Sequence, residues 1–353
     1  MSTAELPAPV ADPAAVTPEW LTGALGGPAG VTTVRAERIG TGLVGQSVRF
    51  HLTWDTPGAG PATVVGKFPS PDPKSRERGR AGGEYRREVR FYQRLAAGAG
   101  LRLPACRLAS YDEATGDFTL LLDDLAPARQ GDQLTGCTPD EAAAVLAEAA
   151  RLHAAYWADP RLDAEDWLRR PHPEREATGA LLTRLWPGFQ AEYGPDLPAG
   201  GAELGARFVE ALPAWAERDT APRCLAHGDL RVDNVLFGAG RPVVVDWQTV
   251  GQASAASDVA YLLGASLTVA DRRAHEDALL AGYHRALNAH GVRDYPLARL
   301  REDHRRATLC GVGMTIGASM LVGVDDRGRR MFATMAERHL THALDLGAEE
   351  FLG

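Results

Sequence analysis

The segment between residues 31 and 68 alternates β-branched or apolar residues with polar ones, a pattern that predicts strands. It contains three such runs, VTTVRAERI, SVRFHLTW and ATVVGKF. They are separated by a glycine-rich stretch at 40–45 and a turn-rich stretch at 55–61. A period of two places successive side chains on opposite faces of a strand, and short polar breaks suit antiparallel neighbours. We therefore predict three antiparallel strands here.

The next segment continues this pattern with one helix and two further strands. We predict a polar loop over 69–82, followed by a helix over 84–97. The runs ACRLASY and FTLLLDD predict two more strands, joined by a turn at 112–116. Five antiparallel strands with one helix inserted after the third form a small α+β lobe that ends near Leu125.

Beyond that point apolar residues recur at three- and four-residue spacing, which predicts helices. A Pro-containing capping box opens the first of them. The predicted helices cover 138–157, 174–193, 202–218, 258–267, 271–290, 297–323 and 328–346. One short β-type island, 234–248, interrupts them with VLF and PVVVD on either side of a glycine turn. We predict a flexible Ala/Pro-rich arm at 1–16, an N-lobe at 17–125 and a helical C-lobe at 126–353.

Composition narrows the class of protein. The 353 residues suit about two domains or lobes, and 46 acidic against 38 basic residues give a net charge of -8. Proteins that hold nucleic acid by neutralising phosphates usually show the opposite balance. The most apolar stretch, 310–324, is too short to span a bilayer and is interrupted by glycine, so it indicates a buried helix. Four scattered cysteines and no secretory signal pattern in the first twenty residues favour a cytoplasmic location.

The strongest chemical signal is the segment HGDLRVDN at 227–234, followed by VLF, a glycine turn and VVVDW. Phosphoryl transfer from ATP needs metal ions on the phosphates and one carboxylate that orients the attacking hydroxyl and takes its proton. Asp229, with Asn234 five residues later, fits a loop that presents a base and then a neutral metal ligand. The hairpin would return Asp246 beside Asn234, and such oxygen ligands suit Mg²⁺. The alternative is a structural loop with hydrogen-bonding Asp and Asn, which the complete arrangement disfavours.

A glycine-rich turn, Gly40-x-Gly42-x-x-Gly45, lies between the first two predicted strands. The spacing alone also fits a dinucleotide-binding fingerprint or a plain hairpin turn. A Rossmann fingerprint must open a helix, whereas Gly45 leads into QSVRFHLTW, which alternates as a strand does. We therefore favour a lid whose backbone N–H groups lie over a triphosphate.

Lys67 is one of only two lysines in a chain that has 36 arginines. It lies at the end of the third predicted strand, where a compact ammonium could contact phosphate oxygens and pair with a helix carboxylate. Glu84 and Glu88 are both candidates on the next helix, and we favour Glu88 because neighbouring apolar residues would turn it inward. The alternative is a lysine that extends into solvent.

These features resemble the aminoglycoside phosphotransferase/choline kinase superfamily, relatives of the eukaryotic protein kinases. The ecdysteroid-kinase-like (CHK-kinase-like) branch is most similar, through REVRFY, LLLDDL, RLHAAYW, HGDLRVDN, VVDWQ and SDVAYLL. The resemblance extends from about residue 35 to about residue 345. It implies a two-lobed protein-kinase-like fold of the α+β class, with a five-stranded antiparallel N-lobe and a mainly helical C-lobe.

The resemblance implies roles for residues of the catalytic segment. Asp229 would be the catalytic base, and Asn234 and Asp246 would hold Mg²⁺. Arg231, two residues after the base, lies where protein kinases place a lysine on the γ-phosphate. It could neutralise charge in the transition state.

The resemblance also implies how ATP is held. Lys67 and Glu88 would form the pair that positions the phosphates, beneath the glycine-rich turn. Asp123 and Leu125 would offer backbone groups to the adenine as a hinge.

Two departures bear on the acceptor. The triplet Asp246-Trp247-Gln248 replaces the Asp-Phe-Gly of protein kinases. Eleven residues separate Asp246 from Asp258, too few for a phosphorylatable activation segment and a peptide platform. By resemblance, His227 and Asp258 would brace the catalytic loop.

We therefore expect ATP- and Mg²⁺-dependent phosphorylation of a hydroxylated small molecule, such as an antibiotic or a choline-like or steroid-like compound. Helices from 138–222 and 270–350 would bind this acceptor. We expect neither nucleic acid nor a membrane as a partner. A nucleotide-binding pseudokinase is the main alternative, and an atypical protein kinase is disfavoured by the missing activation segment.

Overall fold

A computed structural model describes residues 7–40, 44–168, 172–323 and 325–353 of the chain. The chain divides into two compact units. The first contains the described residues up to Gly98, together with Leu103–Pro127 and Asp246–Thr249. The second contains Ala99–Arg102, Ala128–Val245 and Val250–Gly353.

The first unit is built on one five-stranded antiparallel sheet. Its elements, in chain order, are α1 (Pro18–Leu25), β1 (Val31–Ile39), β2 (Gly45–Trp54), β3 (Thr63–Pro69), α2 (Pro73–Ala81), α3 (Glu84–Arg90), β4 (Cys106–Tyr111) and β5 (Phe118–Asp123). The strand order is β1-β2-β3-β5-β4, and all neighbours are antiparallel. The five-stranded antiparallel sheet predicted from the alternating pattern is confirmed.

The core of the first unit follows from this alternation. Val48, Phe50 and Leu52 on β2 are buried, and the intervening positions are more exposed. The ring of Phe50 meets that of Phe68 edge to face, with centroids 5.9 Å apart. Burial of each such side chain contributes roughly 1.5–3 kcal/mol.

The N-terminal segment is packed against this sheet where the structure describes it. The backbone N–H of Val10 donates to Thr119 Oγ1, and the same hydroxyl donates back to the Val10 carbonyl, each over 2.7 Å. Val16 is buried in the same core as β2. From residue 7 onward the segment predicted as an arm is therefore anchored.

The polar loop predicted over 69–82 is wrong, because α2 occupies most of it. Asp72 caps the helix by accepting from the Ser75 N–H at 2.8 Å, and Pro73 takes the first helical position. The helix has almost no apolar stripe, and its only buried residue is Gly79. The periodicity that identifies a helix was therefore missing from the sequence.

The helix predicted over 84–97 is regular only in its first part. After α3 the chain continues as a π-helical turn, Phe91–Leu95, and then a 3₁₀ turn, Ala96–Gly98. Such π turns are rare and often lie at functional sites. Here the turn carries Phe91 and Tyr92 into the interior.

The second unit is mainly helical. Its elements are β6 (Arg129–Gln130), α4 (Pro139–Ala155), α5 (His172–Tyr193), α6 (Gly201–Glu217), β7 (Arg223–Ala226), β8 (Val235–Phe237), β9 (Val243–Val244), β10 (Gly251–Ser254), α7 (Ala255–Ser266), α8 (Val269–Ala289), α9 (Leu297–Leu321) and α10 (Asp326–Asp345). The predicted helical patterns coincide with α4 to α10, apart from a few residues at the ends. β6, β7 and β10 were not predicted, since strands of two to four residues carry too little alternation.

The core of the second unit lies around α7, on which every residue but one is buried. α9 and α10 pack beside it and contribute Leu309, Val312 and Ile316 among others. The apolar stretch at 310–324 falls largely within α9 and is a core helix, as predicted. Among the described residues, no helix combines the length and apolarity needed to cross a membrane.

Candidate active site

The loop at 227–234 is held in place by a buried carboxylate on α7, Asp258. Asp258 accepts from the backbone N–H groups of His227, at 2.6 Å, and Gly228, at 2.9 Å. The His227 ring contacts the carbonyl of Val245 over 3.0 Å. The predicted bracing roles of His227 and Asp258 are thus confirmed.

A second line of buried groups fixes Asp258. His153 Nε2 lies 3.1 Å from Asp258 Oδ2, and His153 Nδ1 lies 2.6 Å from the hydroxyl of Tyr283. Burial works to raise the pKa of Asp258. The hydrogen bond and charge of His153, the charge of His227 and the Gly228 N–H outweigh burial and hold that pKa below its ordinary value. The motif RLHAAYW contains His153, but the sequence predicted no role for this residue. No motif in the sequence indicated Tyr283.

The carboxylate of Asp229 is oriented by Asn234. The Asn234 amide nitrogen donates to both the backbone carbonyl and Oδ2 of Asp229, each at 2.9 Å. This pairing follows from the 3₁₀ turn Val232–Asn234, which folds the chain back within five residues. Because the nitrogen is used in this way, Asn234 Oδ1 remains as the atom that can bind a cation.

Arg231 flanks the same carboxylate. Its Nε lies 3.3 Å from Asp229 Oδ1, and its Nη1 donates to Asp233 Oδ2 at 2.6 Å. Burial acts to lower the pKa of Arg231, but the charges of Asp229 and its other neighbours raise it overall. The guanidinium is thus a permanent positive charge beside Asp229.

Tyr261 on α7 is a further neighbour that sequence reasoning missed. Burial raises its pKa well above the ordinary value, and the charge of Asp229 and a hydrogen bond donated to Asp229 raise it further. Its phenol is therefore a neutral donor to Asp229. The motif SDVAYLL contains this tyrosine, but nothing in the pattern indicated the contact.

Asp246 lies two residues after the end of the β8–β9 hairpin. Val235 is paired with Val244, and the Val245 N–H donates to the Asn234 carbonyl at 2.9 Å. Asp246 comes next and has φ of 68°, in the left-handed region that non-glycine residues rarely adopt. Such backbone strain concentrates at functional sites.

Within the first unit, Lys67 joins two carboxylates. Its Nζ lies 2.6 Å from Glu88 Oε1 and 2.9 Å from Asp246 Oδ1. The structure therefore pairs Lys67 with Glu88, the carboxylate favoured from the sequence. Burial opposes the charge of Lys67, but its two acidic partners raise its pKa overall. For Glu88, whose side chain is 1% exposed, burial prevails and raises the pKa.

The segment that begins at Asp246 packs on α3 and the π turn. Trp247 N–H donates to Glu88 Oε1 at 3.3 Å, and the Trp247 ring stacks on Phe91 with centroids 3.9 Å apart. Tryptophan thus fills the place where the Asp-Phe-Gly triplet has phenylalanine. This packing holds Asp246 beside Lys67.

The glycine-rich turn between β1 and β2 is described at both ends. Gly40 has φ of +70°, and Gly42 lies outside the described residues. A Cβ on Gly45 would come within 3.1 Å of the Phe68 carbonyl, so the close approach of β2 and β3 favours glycine there. Tyr85 on α3, which sequence reasoning did not single out, donates its hydroxyl to the Val44 carbonyl at 2.6 Å.

The predicted adenine-binding residues lie at the end of β5. The Asp123 N–H already donates to the Ala105 carbonyl and is therefore not available to a base. Asp124 forms an ion pair with Arg49 at 2.5 Å, which fixes the chain just before Leu125. A role of Asp123 and Leu125 as a hinge stays a prediction.

The chain between Asp246 and Asp258 is short and regular. It consists of a 3₁₀ turn, Trp247–Thr249, the strand β10, paired with β7, and the first turn of α7. The predicted lack of an extended activation segment is confirmed.

Comparisons with known proteins identify the family of the chain. Residues 44–300 match the model of the phosphotransferase enzyme family (APH), and the chain belongs to that family. A homoserine kinase from Gluconacetobacter diazotrophicus is 38% identical over 116 residues. The match covers 31% of this chain and only 36% of that kinase. Assignment to the CHK-kinase-like branch stays a prediction.

Solved structures share the fold at low identity. A candidate aminoglycoside phosphotransferase from Ralstonia eutropha JMP134 is 15% identical, with 89% of this chain and 93% of that chain covered and a TM-score of 0.54. A choline kinase from Cryptosporidium parvum Iowa II is 12% identical, with 90% and 89% covered and a TM-score of 0.53. The predicted protein-kinase-like α+β fold is therefore confirmed.

Proposed function

We propose that the protein is an ATP- and Mg²⁺-dependent phosphotransferase that acts on a hydroxyl group of a small molecule. The observation that carries this proposal is the set around Asp229. Its carboxylate is oriented by Asn234 at 2.9 Å, flanked by Arg231 and mounted on a loop braced by Asp258. An oriented carboxylate beside a fixed positive charge supports this proposal, because phosphoryl transfer depends on positioning the nucleophile and on stabilising the charge of the transferred group.

The chemistry of two side chains suits a magnesium ion. Asn234 presents Oδ1, and the carboxylate of Asp246 is about one-third exposed, at 35%. Amide and carboxylate oxygens are the hard ligands that Mg²⁺ prefers, with remaining positions left to water and phosphate. We propose that these two residues hold the metal, which when bound would neutralise charge on the phosphates.

The chain's own residues would then divide the reaction between them. Asp229 would accept the proton of the acceptor hydroxyl, whose oxygen forms the new bond to the γ-phosphorus while the bond from that phosphorus to ADP breaks. Arg231 would offset the negative charge that develops on the transferred group. Lys67, held by Glu88, would position the α- and β-phosphates.

The acceptor is proposed to be a small hydroxylated compound. The short, regular chain between Asp246 and Asp258 gives a peptide no docking platform of the protein-kinase type. The homoserine kinase relative suggests amino-acid alcohols as one class, although the match spans about a third of that protein. Antibiotics and choline-like or steroid-like alcohols remain the other proposed classes.

The test is a panel of alcohols incubated with ATP and Mg²⁺ and examined by mass spectrometry. The panel should hold homoserine, aminoglycosides, macrolides, cyclic-peptide antibiotics, choline analogues and sterols. A product heavier by about 80 Da, one HPO₃ group, supports the proposal. Nucleotide binding without any product across the panel would favour a pseudokinase, and labelled protein in a lysate would favour a protein kinase.

The assignment of the base is tested with Asp229→Ala against Asp277→Asn, which changes a carboxylate that is 86% exposed on α8. Asp229→Ala should abolish transfer while ATP still shifts the melting temperature. Asp277→Asn should match the unaltered protein. Undiminished turnover by Asp229→Ala would show that another group is the base.

A further inference from the structure

Three metal-ligating side chains converge inside the helical unit, and the phosphotransfer chemistry does not use them. Glu276 lies on α8, His304 on α9 and His342 on α10, and all three are buried. Glu276 Oε1 lies 2.8 Å from His304 Nε2 and 2.5 Å from His342 Nε2. One donor atom from each residue lies within 4.8 Å of the other two.

The carboxylate of Glu276 is oriented by an arginine on the same helix. Arg272 Nη1, one turn earlier on α8, lies 2.9 Å from Glu276 Oε2, and Arg272 also pairs with Asp345. The second oxygen is therefore occupied, and Oε1 is turned toward the two imidazole rings. Groups that fix a ligand's orientation in this way are a regular part of metal sites.

The two imidazole rings have their polar contacts on the Nε2 side, which faces Glu276. Among the described residues, Nδ1 of His304 and Nδ1 of His342 have no hydrogen-bond partner. Gly264 on α7 leaves the space for the His342 ring, since a Cβ there would lie 2.8 Å from His342 Nδ1. Buried polar groups are retained where a partner compensates their lost hydration.

We propose that Glu276, His304 and His342 form a binding site for one zinc ion or a similar transition-metal ion. Two imidazole nitrogens and one carboxylate oxygen form a donor set used for Zn²⁺, with a fourth position left for water. Such a set does not suit Mg²⁺, which prefers oxygen ligands. The site is thus distinct in chemistry from the proposed catalytic metal site.

The present distances are close to those that coordination needs. Metal–ligand bonds of about 2.0–2.2 Å in a tetrahedron place ligand atoms about 3.3 Å apart. Glu276 Oε1 would need to withdraw from each ring by less than about 1 Å. The side chain of Glu276 is the most exposed of the three, at 11%.

The site should be weaker than zinc sites whose histidines are backed by carboxylates. Coordination through Nε2 leaves the ring proton on Nδ1, and these atoms lack acceptors among the described residues. Loss of such outer partners typically costs about 10–100-fold in metal affinity. Because the ligands come from three helices, a bound ion would join α8, α9 and α10.

The experiment uses the full chain, stripped with a chelator and kept in excess Mg²⁺. Zn²⁺ binding is measured by equilibrium dialysis with elemental analysis, and Co²⁺ binding by the visible absorption of tetrahedral cobalt. We expect about one ion per chain and a higher melting temperature with Zn²⁺. His304→Gln and Glu276→Gln should each lower metal affinity at least 10-fold. The control is His275→Gln, which changes an exposed histidine next to Glu276 on α8. This variant should bind Zn²⁺ as the unaltered protein does.

Two outcomes would overturn the proposal. The first is no Zn²⁺ or Co²⁺ bound by the unaltered protein, which would make the cluster a hydrogen-bonded clamp only. The second is binding that persists in both folded cluster variants. If one variant fails to fold by circular dichroism, the other decides, since each removes one ligand of the cluster. Neither readout depends on phosphotransfer, so failure here leaves the proposed function intact.

Discussion

At the scale of single residues, Lys67 shows how an unusual residue choice led to a correct contact. A chain that uses arginine almost everywhere keeps lysine at this strand position. The structure places its ammonium between Glu88 and Asp246. A compact ammonium can approach two carboxylates and a phosphate at once, whereas a planar guanidinium imposes its own fork geometry. Composition and strand position were enough to predict that Lys67 has an acidic partner on the next helix.

Replacing Lys67 by Met should lower kcat/KM for ATP on the order of 100-fold, the typical cost of one preorganised charge partner. Lys67→Arg should recover little of this loss, because the guanidinium does not fit the same place. Steady-state kinetics with an identified acceptor measure both effects. Lys74→Met changes the only other lysine, on the exposed helix α2, and should leave kcat/KM unchanged. Equal losses of kcat/KM in Lys67→Met and Lys74→Met would contradict a role of Lys67 in positioning the phosphates.

Asp258 gives a residue-scale prediction about stability and pH. Its pKa is lowered in the folded chain from the ordinary value of 3.8. A lowered carboxyl pKa stabilises the fold above the unfolded-state value, and this contribution is lost as the pH falls below it. Asp258→Asn should therefore cost about 1–3 kcal/mol at pH 7, since two buried N–H groups lose their charged acceptor.

Urea denaturation of the unaltered protein and Asp258→Asn measures this difference at each pH. The gap should narrow as the pH falls below about 4 toward the lowered pKa of Asp258 in the folded chain, because protonated aspartate and asparagine are both neutral. Asp277→Asn serves as the exposed control and should show no gap at any pH. A gap that stays constant with pH would mean that the charge of Asp258 does not carry the stabilisation.

At the scale of elements, the sequence predicted those parts whose pattern is local. The loop at 227–234 and the β8–β9 hairpin were predicted because a fixed spacing and a glycine turn define them. Helix α2 was missed because it lacks an apolar stripe, although Asp72 and Pro73 form a recognisable N-terminus. β7 and β10 were missed because each is four residues long and gains its hydrogen bonds from a distant partner.

Two helical glycines should respond in opposite ways to the same substitution. A Cβ on Gly264, within α7, would lie 2.6 Å from His339 Nδ1, whereas a Cβ on Gly23, within α1, meets nothing within 4 Å. Gly264→Ala should therefore destabilise the protein by about 1–3 kcal/mol through overpacking. Gly23→Ala should stabilise it by about 0.5–1 kcal/mol through helix propensity.

Thermal and chemical denaturation of the two variants test this contrast, with each other as matched controls. A stabilising Gly264→Ala would show that the His339 ring can move aside at little cost. The close packing inferred between α7 and α10 at this point would then be wrong.

At the scale of the whole molecule, the sequence predicted two units that are each continuous in the chain, whereas in the structure each unit is made of separate segments. Residues 246–249 group with the first unit, although the chain before and after them belongs to the second. Residues 99–102 group with the second unit, where the Arg102 N–H donates to Glu148 at 2.8 Å. Both assignments depend on tertiary contacts between residues far apart in sequence, and periodicity contains no information about those.

The short segment between Asp246 and Asp258 leads to a prediction about whether activity depends on phosphorylation of the chain. In this segment Ser254 Oγ caps α7 by accepting from the Ala256 N–H, and the Ser257 hydroxyl donates to the Ser254 carbonyl at 2.6 Å. These hydroxyls already serve the helix start, and Lys67, Glu88 and Asp246 are already paired. Activity should therefore not require phosphorylation of the chain.

Phosphatase treatment should leave kcat and KM of the purified protein unchanged, and intact-mass spectrometry should find unmodified chain in the active sample. A protein kinase that depends on its activation segment, treated in parallel, should lose activity and so show that the phosphatase worked. Ser254→Ala should lower stability by about 1 kcal/mol through loss of the helix cap, with activity retained at temperatures where it is folded. A loss of activity on phosphatase treatment alone would mean that a modified residue completes the site.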